Sequence, residues 1–310
     1  MARVVITEFM DEAAVARLSA AASTLYEPDL VDRREDLFAA VAGAEVLVVR
    51  NRTQVDRSLL DAGTDLRVVG RLGVGLDNID LETCKDRGVQ VWPATGANDL
   101  AVAEYVITTS MMLLRGAYLS SQDVGAGRWP RQSLIGREVS GRVMGLLGLG
   151  AIARKVAVRA EALGMRVIAH DPHLDPGDPA WETASSVSFN DLLAQSDALS
   201  LHVPLTPQTR HIIDGSALGR MKTSAVLVNA ARGGVVDEEA LASALEGHRL
   251  GGAALDVFES EPLTAKGGAR FTGISNVILT PHIAGVTEES NVRVSSMIAD
   301  KILDYLNERA

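Results

Sequence analysis

The stretch Val143-Met144-Gly145-Leu146-Leu147-Gly148-Leu149-Gly150-Ala151-Ile152-Ala153 decides how the rest of the chain is read. Val143–Leu147 has the continuous apolar composition of a strand buried on both faces. Two glycines follow, and a helical pattern then runs from Ile152 to Leu163. Strand, glycine turn and helix in that order leave backbone N–H groups free at a helix N-terminus. Hydrogen bonding and the helix dipole both favour an anion there. Gly148 permits the tight turn, Gly150 lets backbone approach a pyrophosphate, and Ala153 keeps helix and strand close. A bare Gly-x-Gly is a weak signal. Gly73-Val74-Gly75 also follows a strand, yet no third small position or following acid completes it.

The next strand, Arg166–Ala169, ends through His170 in Asp171, ~20 residues past the glycines, where dinucleotide folds carry an acid. An acid there accepts hydrogen bonds from the adenosine ribose hydroxyls and repels a 2′-phosphate, so NAD is favoured over NADP. The competing reading is a turn aspartate ahead of Pro172. Arg154 and His173 would soften the exclusion of NADP.

Working outward, the same alternation of apolar strands and helices fills the chain. Strands are expected at Arg3–Thr7, Val46–Val49 and Leu66–Val69, with helices over Asp11–Ala22, Arg33–Ala42 and Arg57–Ala62. Near residue 97 a long apolar helix begins, Asn98–Leu114, and a Gly-, Ser- and Arg-rich loop follows from Gly116 to Arg137. Beyond the glycine turn, strands are expected at Ala198–Leu201, Ala225–Val228, Ala253–Leu255 and Val277–Leu279, with a helix over Glu238–Leu245. A last helix, Glu288–Leu306, carries Val294, Met297, Ile298, Ile302 and Tyr305 at helical spacing. This is an α/β chain of two parallel-sheet, Rossmann-like units.

Composition narrows the classes of function. The 310 residues are 47% hydrophobic and 23% charged, which excludes global disorder. Thirty basic against forty acidic residues give a formal charge of −10, which disfavours a nucleic-acid partner. Cys84 is the only cysteine, so neither an intramolecular disulfide nor a cysteine zinc site is possible, and no metal is expected. No apolar run approaches a membrane span, and the N-terminus turns acidic at Glu8 before a signal-peptide core develops. A cytoplasmic protein with no membrane partner is expected.

Three later segments place polar chemistry after apolar strands, where open α/β sheets bind ligands. Asn229-Ala230-Ala231-Arg232-Gly233-Gly234 offers an arginine, Asp256-Val257-Phe258-Glu259-Ser260-Glu261-Pro262 several carboxylates, and Thr280-Pro281-His282-Ile283-Ala284-Gly285 a histidine. An arginine to grip a carboxylate, a histidine to move a proton and a glutamate to hold the imidazole protonated make a reduction site. Taken singly, they read equally well as a surface arginine, a loop glutamate and a histidine beside proline.

Taken together, these motifs make the chain resemble the D-2-hydroxyacid dehydrogenase family, most closely its phosphoglycerate-dehydrogenase-like branch. The resemblance covers nearly the whole chain. It rests on Gly73–Asp80, Gly96-Ala97-Asn98 with Val102-Ala103-Glu104, the glycine turn with Asp171, Asn229–Asp237, Leu255–Pro262 and Pro281-His282. It implies that Arg232 binds the substrate carboxylate, His282 is the general acid/base, Glu261 assists it, and Asp256 lies beside the nicotinamide. Its cofactor contacts carry over to Gly148, Gly150, Ala151, Ile152, Asp171, Val203, Pro204, Thr209, Ala230, Ala231, Arg232, Asp256, His282, Ala284 and Gly285. Substrate contacts fall on Arg50, Asn51, the turn Leu72-Gly73-Val74-Gly75, Arg232 and His282. Ala153 in place of a third glycine is the one mild departure.

The resemblance further implies a discontinuous substrate domain, 1–97 with 287–310, into which an NAD-binding domain, 98–286, is inserted. The helix from Asn98 and the following loop look like the family's homodimer-forming region. The length is similar to that of members without a regulatory C-terminal domain. Ile6–Glu12 and Arg50–Thr53 look more like sulfolactate dehydrogenases than phosphoglycerate dehydrogenases.

The expected function is hydride transfer between NAD and C2 of a D-2-hydroxy acid. Arg50 and Arg52 after their strand suggest a second anion on the substrate, as in sulfolactate, 3-phosphoglycerate or malate. Solvated surface arginines are the alternative. A different class, an NAD-sensing corepressor-like interaction protein on the same fold, stays open, although the complete Arg–Glu–His set favours an enzyme. His170 and His173 read as surface residues, His202 as a histidine bonded to backbone, and Cys84 as an inert thiol.

Overall fold

The computed structural model describes residues 3–309, Leu119 by its backbone alone. Met1 and Ala310, the outer bounds of the expected split domain, lie outside the described residues. The chain divides into two compact units: the described residues up to Asn98 with those from Val286 on, and Asp99–Gly285.

The first unit is built on strands β1 (Val4–Ile6), β2 (Thr24–Tyr26), β3 (Val46–Val49), β4 (Val68–Arg71) and β5 (Gln90–Pro93). They form one parallel sheet in the order β2-β1-β3-β4-β5. Every residue of β1 and β3 is buried, as all-parallel sheets covered on both faces require. Strand order reverses between β1 and β3, so the loops after them open at the switch point where such sheets take ligands.

The helix Glu288–Asn307 returns to this sheet. Thr287 and Ser290 form a reciprocal capping box at its start. Val294, Ile298 and Ile302 are buried among Val46, Val48 and Val68. Helix and sheet approach so closely at Gly70 that a Cβ there would lie 2.8 Å from Ile298 Cγ2. The expected strand Leu66–Val69 is accordingly shifted to Val68–Arg71: the glycine that breaks the apolar run is the helix's contact point.

The second unit holds β6 (Val143–Leu147), β7 (Arg166–His170), β8 (Ser185–Ser186), β9 (Ala198–Leu201), β10 (Val226–Asn229), β11 (Gly252–Leu255) and β12 (Val277–Leu279). Their order is β12-β11-β10-β9-β6-β7-β8, all parallel. The reversal here falls between β6 and β9. The helix Asp99–Arg115 packs on Ala151–Ala162, where Ala103 and Val106 meet the fully buried Ala153, Val156 and Ala157. The segment read as a loop after Gly116 contains a 3-10 turn, Ala117–Ser120, and a short helix, Ser121–Gly125.

The contact at Gly70 gives a direct test. Gly70→Ala should destabilise the fold by about 1–3 kcal/mol through overpacking. In urea titrations the Gly70→Ala, Ile298→Ala pair should lose clearly less than the sum of the two single losses.

Candidate active site

Strands β10, β11 and β12 are neighbours, so the loops after their C-terminal ends lie side by side. After β10, the buried Asn229 staples its own turn. Its Oδ1 accepts from the Ala231 N–H at 3.1 Å, and its Nδ2 donates to the Arg232 carbonyl at 2.9 Å. Arg232 in turn donates to the Ala231 carbonyl at 2.6 Å. A Cβ on Gly233 would stand 1.7 Å from the Phe258 carbonyl oxygen, so only glycine lets this turn press against the loop after β11.

That loop carries Asp256, which is 1% exposed. Its carboxylate accepts from the Ile283 and Ala284 N–H groups, each at 2.8 Å, and from the Thr280 hydroxyl at 2.6 Å. The loop after β12 is thereby bound to the one after β11. His282 sits in it at φ +55, a left-handed conformation that costs a non-glycine residue about 1–2 kcal/mol. Its N–H donates to the Asp256 carbonyl at 2.8 Å, which helps offset that cost.

In this setting His282 Nδ1 lies 2.7 Å from Glu261 Oε2, while Glu261 Oε1 accepts from the Phe258 N–H at 3.0 Å. An ionised carboxylate only accepts, so Nδ1 carries the proton and Nε2 is left to exchange one. Burial opposes the charge on Glu261. The hydrogen bonds from His282 and Phe258, with the positive charges of His282 and Arg232, outweigh it and hold the carboxyl below its ordinary 4.5. Behind the pair, Glu238 Oε1 accepts from the Glu259 N–H at 2.6 Å and Glu259 Oε1 from the Glu238 N–H at 3.3 Å. Arg270, 3.4 Å from Glu238, and His211, 3.0 Å from Glu259, face these carboxylates.

The glycine turn lies in the same unit, at its switch point. Gly148 has φ +88, and a Cβ on it would lie 2.6 Å from the His202 carbonyl after β9. Gly150 differs: a Cβ there would meet nothing within 4 Å. No described side chain caps the helix Ala151–Ala162 that it starts. Open space in front of uncapped N–H groups fits a dinucleotide pyrophosphate. Asp171 follows β7, with Oδ2 on the Leu149 N–H at 2.9 Å and Oδ1 on the His173 N–H at 3.0 Å. Each oxygen retains a lone pair for a further donor.

On the loop after β9, Thr209 donates to the Pro204 carbonyl at 2.6 Å and shapes the Val203–Thr209 segment. His202, expected to bond to backbone, has Nε2 at 2.9 Å from the Ser200 hydroxyl instead. Burial pushes its pKa down to about 4, so the ring is neutral. Burial also lifts the Cys84 thiol to about 11, which leaves it inert.

In the first unit a buried carboxylate shapes the loop after β3. Glu8, following β1, accepts from the N–H groups of Arg50 at 2.8 Å, Thr53 at 3.0 Å and Arg52 at 3.2 Å. Asn78 donates to the carbonyls of Arg50 and Thr53 from the other side. The guanidinium of Arg50 donates to Asn291 Oδ1 at 2.9 Å and lies over the Phe9 ring. Burial lowers its pKa, against the opposing charge of Glu8. Arg52 pairs instead with Asp32, both well exposed, and so belongs with the surface ion pairs. In the turn after β4, the Leu72 and Gly73 N–H groups are already used, on the carbonyls of Val49 and Arg71.

The structure thus brings Arg232, Asp256, Glu261, His282 and Ala284 together at three strand ends. Gly148, Gly150, Ala151, Ile152 and Asp171 gather at the switch point with Val203, Pro204 and Thr209, and Arg50 and Asn51 lie after β3 in the first unit. The sequence reading gave no role to Glu8, Asn78, Thr280, Tyr105, Glu238 or Glu259. The only signal was position, since Glu8, Asn78 and Glu259 fall within segments that carry the family resemblance.

An open, uncapped dinucleotide turn and an imidazole paired to a carboxylate in one parallel-sheet unit equip a pyridine-nucleotide oxidoreductase. The family described as D-isomer specific 2-hydroxyacid dehydrogenase, NAD binding domain, matches residues 107–284. An (S)-sulfolactate dehydrogenase of Chromohalobacter salexigens is 54% identical over 311 residues, covering 100% of each chain. A D-3-phosphoglycerate dehydrogenase of Synechocystis is 35% identical, covering 99% of this chain and 54% of its own. The crystal structure of D-lactate dehydrogenase from Aquifex aeolicus with NAD and lactic acid superposes with a TM-score of 0.86. It is 27% identical and covers 98% of this chain and 96% of that one. The chain belongs to the D-isomer specific 2-hydroxyacid dehydrogenase family and is an NAD-dependent enzyme acting on the CH–OH group of a 2-hydroxy acid.

The lowered Glu261 pKa fixes the sign of a stability effect. A carboxyl held below its unfolded value stabilises the fold above that value and loses this contribution as pH falls through the lowered one. The Tm gap between the parent and Glu261→Gln should therefore be full at about pH 7. It should narrow on acidification below 4.5, as read from melts across the range.

Proposed function

We propose that this enzyme oxidises a D-2-hydroxy acid bearing a second anionic group, with 3-sulfolactate as the leading substrate. The observation that carries this is Arg50. It is a partly buried guanidinium at a switch point, held in place by Asn291 and Phe9, on a loop shaped by Glu8 and Asn78. Holding a guanidinium there with no carboxylate among the described residues on its fork suits an anion supplied by the substrate. The 54% identical relative, named for (S)-sulfolactate, supports the same reading. Its descriptor agrees with a D-specific family, because sulfur on C3 outranks the carboxylate and reverses the label relative to lactate.

In this reading Arg232 grips the substrate carboxylate, and Val74 and Gly75 are the candidate backbone donors of the first unit, since the N–H groups of Leu72 and Gly73 are engaged. His282 Nε2 takes the proton of the C2 hydroxyl during oxidation and returns it to the 2-oxo oxygen during reduction. Glu261 stabilises the imidazolium that results. NAD bound in this unit would supply the acceptor for the C2 hydride, and NADH the donor in the reverse direction. Gly148, Gly150, Ala151 and Ile152 hold its pyrophosphate, Asp171 its ribose, and Val203, Pro204 and Thr209 line the adenine end. Ala230, Ala231, Asp256, Ala284 and Gly285 line the nicotinamide end. The first unit is the substrate domain and the second the NAD domain.

We also read the protein as a cytoplasmic homodimer. Support for the dimer comes from Tyr118, Trp129 and Ile135, which are 63%, 74% and 76% exposed on the segment after the helix Asp99–Arg115. Support for the compartment is the reduced, buried thiol of Cys84. The relatives described above are enzymes, and nothing favours the NAD-sensing interaction protein.

Two assays test the assignments. Sulfolactate, 3-phosphoglycerate or malate should be oxidised with higher kcat/KM than lactate or glycolate, with sulfolactate highest. Arg50→Ala should cost the dianionic substrate about 1–3 kcal/mol in transition-state binding and leave a monoanionic one nearly unchanged. Preference for lactate, or equal losses, would assign Arg50 a structural role only. For the cofactor, the parent should favour NAD over NADP in kcat/KM, and Asp171→Ala should narrow the ratio roughly tenfold or more. Equal use of both cofactors by the parent would overturn the role of Asp171.

A further inference from the structure

The helix Asp99–Arg115 sends one side chain toward the loop that bears His282. Tyr105 Oη lies 2.6 Å from Thr280 Oγ1, and Thr280 Oγ1 lies 2.6 Å from Asp256 Oδ1. The direction of this chain of bonds is fixed by its end. Asp256 already accepts from the Ile283 and Ala284 N–H groups, so Thr280 must spend its single proton on the carboxylate. The Tyr105 hydroxyl then has to donate to Thr280. Burial lifts the Tyr105 phenol to about 12, so it keeps the proton this role needs.

Asp256 is thereby the hub of a bonded set running from Tyr105 to Ala284. The set encloses the one turn in which His282 takes its left-handed conformation. The His282 N–H donates to the Asp256 carbonyl at 2.8 Å and the Thr280 N–H to the Leu255 carbonyl at 3.0 Å, so the turn is held at both backbone and side chain. Removing the Thr280 donor leaves the buried carboxylate one donor short and no longer fixed on that side, so it can rotate and weaken its bonds to the 283 and 284 amides. That rotation would release the His282 turn and lengthen the path of its proton to the substrate oxygen.

We propose that Thr280 and Tyr105 are positioning residues of the reaction, acting through the Asp256 carboxylate to hold His282 where its Nε2 can exchange a proton. The inference rests on the reading of His282 as the acid/base. It predicts a loss in kcat with little loss in substrate binding, because Arg232 is stapled separately by Asn229.

The test uses the full-length enzyme, NAD and the substrate with the highest kcat/KM among sulfolactate, 3-phosphoglycerate, malate, lactate and glycolate. Thr280→Val keeps the shape of the side chain and removes the donor. It should lower kcat by about tenfold to a hundredfold, the scale of a sub-ångström to one-ångström misplacement. KM for the hydroxy acid should stay within about threefold, and Thr280→Ser should restore kcat to a similar margin. Tyr105→Phe leaves the Thr280–Asp256 bond in place and should cost only about three- to tenfold in kcat, which keeps the test open where Thr280→Val folds poorly. His282→Ala, measured alongside, separates two failures. Unchanged kcat in both Thr280→Val and Tyr105→Phe, beside an inactive His282→Ala, overturns the positioning role alone. Full activity of His282→Ala overturns the reading beneath it, and the proposal with it. A Thr280→Val loss that Thr280→Ser does not rescue also overturns the proposal.

Discussion

A carboxylate removed from water must find donors, and that constraint organises the ligand-facing ends of both sheets. At the C-terminal end of a parallel strand the ladder stops, and the N–H groups of the following loop lose their regular partners. An aspartate or glutamate placed after one strand can collect those N–H groups from the loop after its neighbour, because an ionised carboxylate offers about four lone-pair sites. Asp256, after β11, does this for the loop after β12. Glu8, after β1, does it for the loop after β3, and Asp171, after β7, for the glycine turn after β6. Each of these strand pairs is adjacent in its sheet. The device welds a ligand-binding loop to the next strand along, and each weld lies at a place where a functional side chain or backbone must be held.

The glycines divide by the same logic of approach. Gly148 and Gly233 are required by the protein itself, since a Cβ on either would collide with a carbonyl oxygen of a neighbouring loop. Gly150 meets no such atom, so packing does not explain it. The open space in front of it is what the proposed approach of a pyrophosphate to the backbone needs. A glycine motif that looks uniform in the sequence therefore contains positions of two kinds, one required by packing and one that packing leaves open.

How much of this was legible in the sequence follows from which signals are local. β1, β3, β6, β10 and β11 could be read because burial on both faces leaves an apolar run, and β9 because only Ser200 interrupts one. β2, β5 and β8 are sheet edges with one neighbour each; their residues, such as Thr24 and Ser185-Ser186, carry no such run. Arg232, Glu261 and His282 were legible because each sits in a short motif just after a strand. Their supports were not. Whether Glu8 meets Arg52 or Asp256 meets Ile283 depends on which strands are neighbours, and strand order is a property of the folded sheet. Tyr105 and Thr280 stand 175 residues apart, so no spacing rule connects them.

The acidic chain and its anionic ligands look mismatched until distance is considered. A net charge of −10 is spread over the whole surface, and at physiological ionic strength its field fades over about 8 Å. Guanidinium groups at contact distance are screened far less, and in a partly buried site their attraction is stronger than in water. Arg50 and Arg232 can therefore favour anions against the overall charge, provided each is held in position so that little side-chain entropy remains to be lost on binding. Asn291 with Phe9 does this for Arg50, and Asn229 does it for the turn that carries Arg232. For Arg50 the partner is neutral: the Asn291 amide oxygen fixes the guanidinium without cancelling its charge, whereas a carboxylate in the same place would tie it up in the way Asp32 occupies Arg52.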